Sequence, residues 1–331
     1  MPAPARRFLR QRPLFPGTAP GRRALLALLL GAAAGAAQAE GAGLMMGLVR
    51  RLRGQPEGDN ELERDDNSRA GVVLPAGARS ELNLAYGEDP AQKLDVYLPA
   101  ASGERHPVLL MVHGGAWMVG DKANQAVAAA KVARWLPRGW IVVSTNYRMD
   151  RQAPDPLKQA DDVARALAFV QQKAAGWGGD PERVLLMGHS AGAHLVALLA
   201  ADGRIAERRG ARPWLGTVAL DSAALDVVQI MEGQHYRFYD RVFGKDRAVW
   251  QQNSPYHRLA GTPRPMLLVC SARRQESCGQ ADRFAAKVQA TGARVQVLPI
   301  DFNHGGINAE LGKDTRYTEQ VEAFMKTLGL P

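Results

Sequence analysis

The sequence predicts an α/β fold, in which one largely parallel sheet is covered by helices on both faces. From Leu82 onward, short apolar runs of strand length alternate with longer segments of helical periodicity. The short runs are almost continuously apolar, as in strands that are buried on both faces. No internal repeat and no second linker divides the body of the chain. The 331 residues, 46% of them hydrophobic, are enough for a single domain with a sizeable core.

Seven strands and five helices are predicted in chain order. The predicted strands cover residues 94–98, 108–112, 141–144, 184–187, 217–220, 266–270 and 295–300. The predicted helices, which have apolar residues at three- and four-residue spacing, cover residues 124–135, 161–173, 191–201, 280–290 and 315–328. Strands that alternate with helices in this way favour a parallel sheet.

The first 39 residues have the pattern of an export signal. They contain six arginines and no acidic residue, the apolar stretch 24–37 follows the arginines, and Ala37 and Ala39 form a small-residue cleavage pattern. We therefore expect a signal peptide over residues 1–39, cleavage after Ala39, and export to the periplasm or secretion. The apolar stretch is shorter than the roughly 20 residues of a membrane-spanning helix, so we expect no stable membrane anchor after cleavage.

The positive charge of the chain is concentrated in this segment. Without its six arginines the formal net charge of +9 falls to +3. Basic residues are not interleaved with aromatic ones in the remainder, so the sequence gives little reason to expect a nucleic-acid partner. It does not predict the oligomeric state.

The rest of the chain divides into an arm and a domain. Residues 40–80 carry a basic stretch, an acidic stretch and several glycines without a sustained apolar period, which predicts a poorly ordered N-terminal arm. Residues 81–331 are predicted to form the domain. Within it, residues 226–260 interrupt the alternation and are rich in aromatic side chains, which indicates a small cap-like insertion. This insertion either contacts a substrate or forms a surface helical hairpin packed on its own aromatic residues.

A serine lies between two glycines where an apolar strand meets an apolar helix. Residues 188–192 read Gly-His-Ser-Ala-Gly, with Ser190 at the centre. In a strand-turn-helix context, the pattern G-x-S-x-G holds the serine oxygen clear of the sheet, where it can attack a carbonyl group. The glycines indicate a backbone too crowded for side chains. The pattern alone fits a glycine-rich turn with a helix-capping serine equally well, so other residues must decide.

A nucleophilic serine needs a base that accepts its proton. Among the seven histidines, His304 fits this role best, because it follows the last predicted strand in a loop with glycines. His113, His189 and His194 lie too close to strand ends or to the serine motif, and we interpret them as structural or site-lining residues.

The reaction also needs donors to the oxygen that becomes negative. Residues 113–117 read His-Gly-Gly-Ala-Trp and directly follow a predicted strand. The backbone amides of such a loop can serve as an oxyanion hole. The predicted donors are the amides of Gly114, Gly115, Ala116 and Ala191.

In combination, these motifs resemble those of the α/β-hydrolases, in the esterase and lipase group related to hormone-sensitive lipase and to kynurenine formamidase. The matching residues are 94–99, 113–117, 146–148, 179–181, 188–192, 254–255 and 304. The resemblance covers residues 82–328. It implies an eight-stranded, mostly parallel sheet and the hydrolysis of carboxylic esters through an acyl-enzyme, with no cofactor and no metal.

The chain departs from the family pattern at the acid that orients the histidine. In this family the strand that ends near Cys270 is usually followed by a loop with an aspartate, whereas here the only carboxylate in residues 271–278 is Glu276. Because glutamate can serve in such triads, we predict that Glu276 orients His304, which activates Ser190.

Other interpretations of the acid remain open. Glu276 can instead be a surface carboxylate paired with Arg273 or Arg274. Asp226, which lies shortly after the predicted strand 217–220, is the alternative acid.

The chain has two cysteines, Cys270 and Cys278. In an exported protein an even count favours a disulfide, although two ordinary thiols are the simpler alternative. A bridge between them would close the loop that holds Glu276. Our hypothesis is that the bridge positions the catalytic acid.

The predicted function is that of a serine esterase whose substrate is a small-molecule ester with a small to medium acyl group. The His-Gly-Gly-x-Trp pattern leaves open an arylformamidase-type amide hydrolase. The missing aspartate leaves open a noncatalytic binding protein on a hydrolase scaffold.

Overall fold

The computed structural model describes residues 71–100, 105–222 and 224–331. All of them belong to the compact unit Gly58–Pro331. The predicted signal peptide, its cleavage site after Ala39 and residues 40–70 of the predicted arm lie outside the described residues. The first strand starts at Arg79, so the last two residues of the predicted arm belong to the sheet.

Eight strands form one sheet. They are β1 Arg79–Ala85, β2 Lys93–Leu98, β3 His106–Val112, β4 Ile141–Thr145, β5 Gly179–His189, β6 Gly216–Leu220, β7 Met266–Ser271 and β8 Val295–Ile300. Their order is β1-β2-β4-β3-β5-β6-β7-β8, in which β2 is antiparallel to both of its neighbours and the other pairs are parallel. The eight-stranded, mostly parallel sheet is confirmed. Sequence periodicity missed β1, because this edge strand is mostly exposed and lacks an apolar run.

The parallel register brings the carboxyl ends of the central strands to one edge of the sheet. Gly188 of β5 pairs with Val112 of β3, and His189 pairs with Leu220 of β6. Strands β7 and β8 continue the parallel arrangement. The loops after β3, β5, β6, β7 and β8 therefore start side by side, at the edge where open α/β sheets bind ligands.

Helices connect the strands. In the described residues they are α1 Gln125–Trp135, α2 Pro156–Lys173, α3 Ala191–Ala201, α4 Arg204–Glu207, α5 Val227–Glu232, α6 Arg237–Phe243, α7 Arg247–Gln252, α8 Pro255–Arg258, α9 Gln275–Gln289, α10 His304–Glu310 and α11 Arg316–Lys326. All five predicted helices are present. Helix α2 starts at Pro156 rather than at residue 161, because the Asp155 side chain accepts hydrogen bonds from the amides of the first turn.

The core lies on both faces of the sheet. Val108, Leu110 and Val112 of β3 belong to the apolar cluster that includes residues of α2, α3 and α9. Leu109 and Met111 belong to the cluster on the other face, which includes residues of α1 and α11. This alternation follows from the two-residue period of a strand. Apart from His194, helix α3 has no polar side chain, and all 11 of its residues are buried, which gives the turn before it a rigid support.

The connection from β6 to β7 holds four short helices, α5 to α8, in the region of the predicted insertion 226–260. Several of its aromatic side chains are buried, among them Tyr239 and Phe243 of α6. Among the helices that the structure describes, none is both long enough and apolar enough to cross a membrane.

Candidate active site

Ser190 occupies a sharp turn between β5 and α3. Its backbone has φ 55° and ψ −118°, which is costly for a residue with a side chain. A Cβ atom on Gly188 would lie 2.3 Å from the carbonyl oxygen of Gly192, and one on Gly192 would lie 2.3 Å from the carbonyl oxygen of Val112. Packing therefore requires both glycines of the motif. The turn has the geometry of a nucleophile elbow.

His304 reaches the serine from the loop after β8. Its Nε2 lies 2.9 Å from Oγ of Ser190, although the two residues are 114 positions apart in the chain. His304 is the first residue of α10, which Asn303 caps. Its carbonyl oxygen lies 3.0 Å from Nε2 of His189, a contact that holds the histidine backbone against the end of β5. The structure thus brings the predicted serine and histidine within hydrogen-bonding reach.

The carboxylate that contacts His304 belongs to Asp221. Its Oδ2 lies 2.6 Å from Nδ1 of His304, and its side chain is fully buried. Asp221 directly follows β6 and has a φ of 55°, in the region that aspartate tolerates better than most residues. This corrects the expectation that Glu276 orients the histidine. The carboxylate beside the histidine directly follows β6, the strand next to β5, and does not come from the loop after β7.

Glu276 lies in the first turn of α9, with Arg274 between it and the buried site. Its Oε1 is 3.1 Å from Nε of Arg274, and its side chain is 48% exposed. The alternative interpretation, a surface carboxylate paired with a neighbouring arginine, therefore describes Glu276. Together with Tyr236, Tyr239 and Arg283 it lines a cavity of about 430 Å³.

Asp226, the alternative acid, has a structural position. Its Oδ1 accepts a hydrogen bond from the amide of Gln229 in the first turn of α5, over 3.2 Å. Its Oδ2 accepts one from Nε of Arg283 in α9, over 2.7 Å. These contacts join α5 to α9 through the Asp226 carboxylate, which therefore has a structural role away from His304. In the described ranges, no three His, Cys, Asp or Glu side chains form a cluster that could hold a metal ion.

Three groups between the end of β7 and the first turn of α9 donate hydrogen bonds to Asp221. The amide of Ser271 and the hydroxyl of Ser277 donate to Oδ1 over 2.8 and 2.5 Å, and Nη1 of Arg274 donates to Oδ2 over 2.7 Å. Burial alone would raise the pKa of Asp221, but the hydrogen bond from His304, the charge of Arg274 and the hydrogen bond from the Ser277 hydroxyl hold this pKa well below its usual range. The carboxylate is thus ionised and accepts only.

This ionisation state determines the histidine tautomer. An ionised carboxylate can only accept, so Nδ1 of His304 carries the proton that it shares with Asp221. In the neutral ring Nε2 then has a free lone pair that faces the Ser190 hydroxyl. That is the tautomer a general base requires.

A disulfide joins Cys270, in β7, to Cys278, in α9. The structure therefore contains the predicted pairing. The closed loop does not hold the acid, as the hypothesis on Glu276 supposed. It holds the three residues that donate to Asp221, namely Ser271, Arg274 and Ser277.

The glycine-rich loop after β3 has a strained backbone and packs on the start of α3. Gly115, Ala116 and Trp117 have φ values of 114°, 50° and 63°. A Cβ atom on Gly115 would lie 1.9 Å from the carbonyl oxygen of Val119, so this turn requires glycine. The loop also packs on Gly192, where a Cβ atom would lie 2.4 Å from the carbonyl oxygen of His113. The loop with Gly114, Gly115 and Ala116 thus lies against the helix that starts at Ala191.

Trp117 ties this loop to α3 and to the insertion. Its indole N–H donates to Nδ1 of His194 over 3.1 Å, and Nε2 of His194 donates to the carbonyl oxygen of Asn253 over 2.7 Å. Because one ring nitrogen accepts and the other donates, His194 is neutral, and burial lowers its pKa to about 4. The Trp117 ring also packs edge-on against Phe243 of α6. His194 is therefore a structural residue of the site.

Two residues of the site were not identified from the sequence. Asp221 directly follows the apolar run 217–220, and an acidic residue at the end of a buried strand is a signal that could have pointed to it. Arg274 has no comparable signal in the sequence, because its contacts depend on how the loop after β7 folds towards Asp221.

Comparison with known proteins finds relatives among esterases. A family model described as BD-FAE matches residues 94–222. The chain is 38% identical over 115 residues to a probable isoprenylcysteine alpha-carbonyl methylesterase of Oryza sativa subsp. japonica, an alignment that covers 35% of this chain and 26% of that protein. It is 28% identical over 249 residues to esterase LipC of Mycobacterium tuberculosis, covering 69% and 59% of the two chains. The chain thus spans about a quarter of the first relative's length and less than two thirds of the second's.

The fold matches that of solved esterases. Esterase B from Lactobacillus rhamnosis superposes with a TM-score of 0.66 at 20% identity, over 87% of this chain and 95% of that one. At this identity the match shows the fold alone. The serine and glycine-rich motifs, the eight-stranded sheet and the sequence matches agree with each other. The chain thus has the α/β-hydrolase fold of these solved esterases, and its residues 94–222 match the BD-FAE family model.

Proposed function

We propose that this protein is a serine hydrolase that cleaves carboxylic esters with small to medium acyl groups. The observation that carries the proposal is the continuous series of contacts from Ser190 Oγ to His304 Nε2, over 2.9 Å, and from His304 Nδ1 to Asp221 Oδ2, over 2.6 Å. Nucleophile, base and acid stand in the order that acyl transfer through a serine requires.

The first half-reaction forms an acyl-enzyme. Ser190 Oγ attacks the ester carbonyl carbon while Nε2 of His304 accepts the hydroxyl proton, and Asp221 stabilises the imidazolium that results. The amides of the glycine-rich loop, from Gly114 to Ala116, and of Ala191 are the candidate donors to the carbonyl oxygen as it becomes negative. When the tetrahedral intermediate collapses, His304 returns the proton to the leaving oxygen. The alcohol departs and the acyl group remains on Ser190.

The second half-reaction releases the acid. A water molecule takes the place of the alcohol, His304 accepts one of its protons, and the resulting hydroxyl attacks the acyl carbon. Collapse of the second tetrahedral intermediate returns the proton to Oγ of Ser190. The carboxylic acid leaves and the serine hydroxyl is restored.

The surroundings of the site support a substrate of limited size. Phe238, Tyr239 and Phe243 from the insertion pack around Trp117, which follows the candidate oxyanion donors. A filled aromatic cluster leaves less room for a long acyl chain than an open groove would. The names of the relatives, a methylesterase and an esterase, support the ester class. Given the N-terminal segment with its six arginines and apolar stretch, we also propose that the enzyme acts after export to the periplasm or secretion.

A labelling experiment and a substrate series test this function. A fluorophosphonate probe is expected to label the wild-type protein at Ser190 and to leave Ser190→Ala unlabelled. p-Nitrophenyl esters of rising acyl length, assayed beside N-formylkynurenine, are expected to show hydrolysis of the short esters only. Preference for N-formylkynurenine would instead indicate an amide hydrolase. Absence of both labelling and hydrolysis in folded protein would indicate a binding protein.

A further inference from the structure

We propose that Arg274 is a positioning residue of the triad, which acts through Asp221 to keep His304 in the tautomer that can activate Ser190. The inference rests on the proposed serine-hydrolase function. Arg274 lies in the loop after β7. In the family that the sequence resembles, this loop usually carries the aspartate of the triad, whereas Asp221 of this chain follows β6. The chain thus has a cation at the place where an anion is usual.

The guanidinium group lies against both Asp221 and His304. Its Nη1 is 2.7 Å from Oδ2 of Asp221 and 2.8 Å from Nδ1 of His304. Guanidinium has donors and no acceptor. Because Nδ1 also donates to Oδ2, two donors converge on a single carboxylate oxygen. The arrangement is favourable only while Asp221 is ionised.

The alternative protonation state would inactivate the base. If Asp221 were protonated, Nδ1 of His304 could accept a hydrogen bond from Arg274 or from the carboxyl group, and Nε2 would then carry the proton. That tautomer cannot accept the proton of Ser190. A fixed positive charge beside Asp221 disfavours this state, because it stabilises the carboxylate.

The position of Arg274 is itself well determined. Its side chain is 12% exposed, and Nε contacts Glu276 on the side away from the triad. Burial alone would lower the pKa of Arg274, but the charge of Asp221 outweighs this effect and the pKa is raised, so the cation persists. The loop is closed by the disulfide between Cys270 and Cys278. Glu276 therefore orients the arginine and has no direct contact role at the histidine.

The charge of Arg274 has a second consequence for His304. Asp221 stabilises the imidazolium that forms during catalysis, and Arg274 offsets part of this stabilisation. The other ionisable groups around the pair are His189 at the end of β5, Glu276, and the tyrosines Tyr239 of α6 and Tyr317 of α11. Burial raises the pKa of both tyrosines, so they stay neutral. Among these groups, Arg274 is the residue whose positive charge lies in direct contact with both Asp221 and His304.

Variants of Arg274 test this role through the pH dependence of the rate. In Arg274→Gln the uncompensated Asp221 charge favours the imidazolium, so the acid-side midpoint of the kcat/KM profile is expected to rise by about one pH unit. The plateau kcat is expected to fall about tenfold or more, because Asp221 is less well held. Arg274→Lys keeps the charge and loses the planar fork, so its midpoint is expected to match wild type while its kcat is reduced.

Arg273→Gln is the matched control. This neighbour has the same charge, is 55% exposed and pairs with the exposed Asp301. It is expected to keep the wild-type midpoint and kcat. Far-UV circular dichroism and the melting temperature establish that each variant is folded.

The outcomes separate this inference from the proposed function. If wild-type protein is labelled by the fluorophosphonate and hydrolyses esters, but Arg274→Gln keeps its midpoint and plateau, the positioning role is wrong and the esterase function stands. If Arg274→Gln does not fold, the test rests on Arg274→Lys. An unchanged kcat in Arg274→Lys contradicts the positioning role of Arg274. A wild-type protein that neither reacts with the probe nor hydrolyses esters contradicts both proposals.

Discussion

Ser190 and Asp221 occupy equivalent places at the ends of neighbouring parallel strands. Each directly follows its strand, each has a φ of 55°, and the amide of Ser190 donates to the carbonyl oxygen of Leu220 over 2.9 Å. One hydrogen bond thus ties the serine turn to the residue that precedes the acid. The register of β5 and β6 sets the distance between Ser190 and Asp221, whereas His304 reaches them from the loop after β8.

The close packing of the serine turn on the glycine-rich loop predicts the effect of a single methyl group. In Gly192→Ala the new Cβ would lie 2.3 and 2.4 Å from the carbonyl oxygens of Val112 and His113, so the loop has to move. Because a displacement of about 1 Å at such a site costs on the order of 10²-fold, kcat/KM for a short ester is expected to fall by about that factor. Gly176→Ala, where nothing lies within 4 Å of the new Cβ, is the control. Equal activity of the two variants would show that the contact is unimportant.

The buried His194 predicts a pH dependence of stability. Its pKa is about 4 in the folded state and about 6.5 when exposed, so the unfolded chain binds more protons between these values. Stability is therefore lost as the pH falls through this window, by about 3 kcal/mol for this group. Urea unfolding at pH 7 and at pH 4 is expected to show a smaller loss in His194→Gln than in wild type.

A histidine of the insertion provides the comparison for that measurement. His235→Gln removes a ring whose Nδ1 lies 2.9 Å from the carbonyl oxygen of Gly233 and whose Nε2 lies 3.4 Å from Oδ1 of the exposed Asp240. It is expected to keep the wild-type pH dependence. If the His194 variant and wild type lose the same free energy of unfolding between pH 7 and pH 4, the fold does not keep this imidazole neutral.

The disulfide predicts a loss of turnover that precedes unfolding. Reduction, or the double substitution Cys270→Ser with Cys278→Ser, frees the loop whose residues Ser271, Arg274 and Ser277 donate to Asp221. A ring this short removes about 2 to 3 kcal/mol of chain entropy from the unfolded state, so the free energy of unfolding falls by about that amount. Turnover is expected to fall in a sample that is fully reduced and still folded. Unchanged kcat in such a sample contradicts a role of the bridge in holding the acid.

Local motifs explain which parts of the site could be predicted from the sequence. The residues around Ser190 and the loop 113–117 are recognisable because their glycines are required by contacts within a few residues or between adjacent strands. His304 was identifiable because a loop after the last strand must return to the same sheet edge. The central strands were predicted from apolar runs, since strands buried on both faces have few polar residues.

The identity of the acid depended on tertiary structure. Two neighbouring loops, after β6 and after β7, both reach His304, and sequence alone does not show which of them supplies a carboxylate. The family pattern favoured the second loop and hence Glu276, but Arg274 lies between that side chain and the histidine. Asp226 follows the same strand as Asp221 and is equally acidic, so the sequence does not separate the two; in the structure Asp226 caps α5. Export remains a prediction, since residues 1–39 lie outside the described part of the chain.

The assignment of the acid is tested most directly by comparing kcat for Asp221→Asn and Glu276→Gln on the same short ester. Asp221→Asn keeps the shape of the side chain but can donate to Nδ1 of His304 and so favours the inactive tautomer, which in serine triads lowers kcat about 10⁴-fold. Glu276→Gln changes only an exposed contact with Arg274 and is expected to stay within a few-fold of wild type. A loss of about 10⁴-fold in Asp221→Asn with a nearly normal Glu276→Gln is the predicted result. The reverse pattern would contradict the Ser190–His304–Asp221 triad.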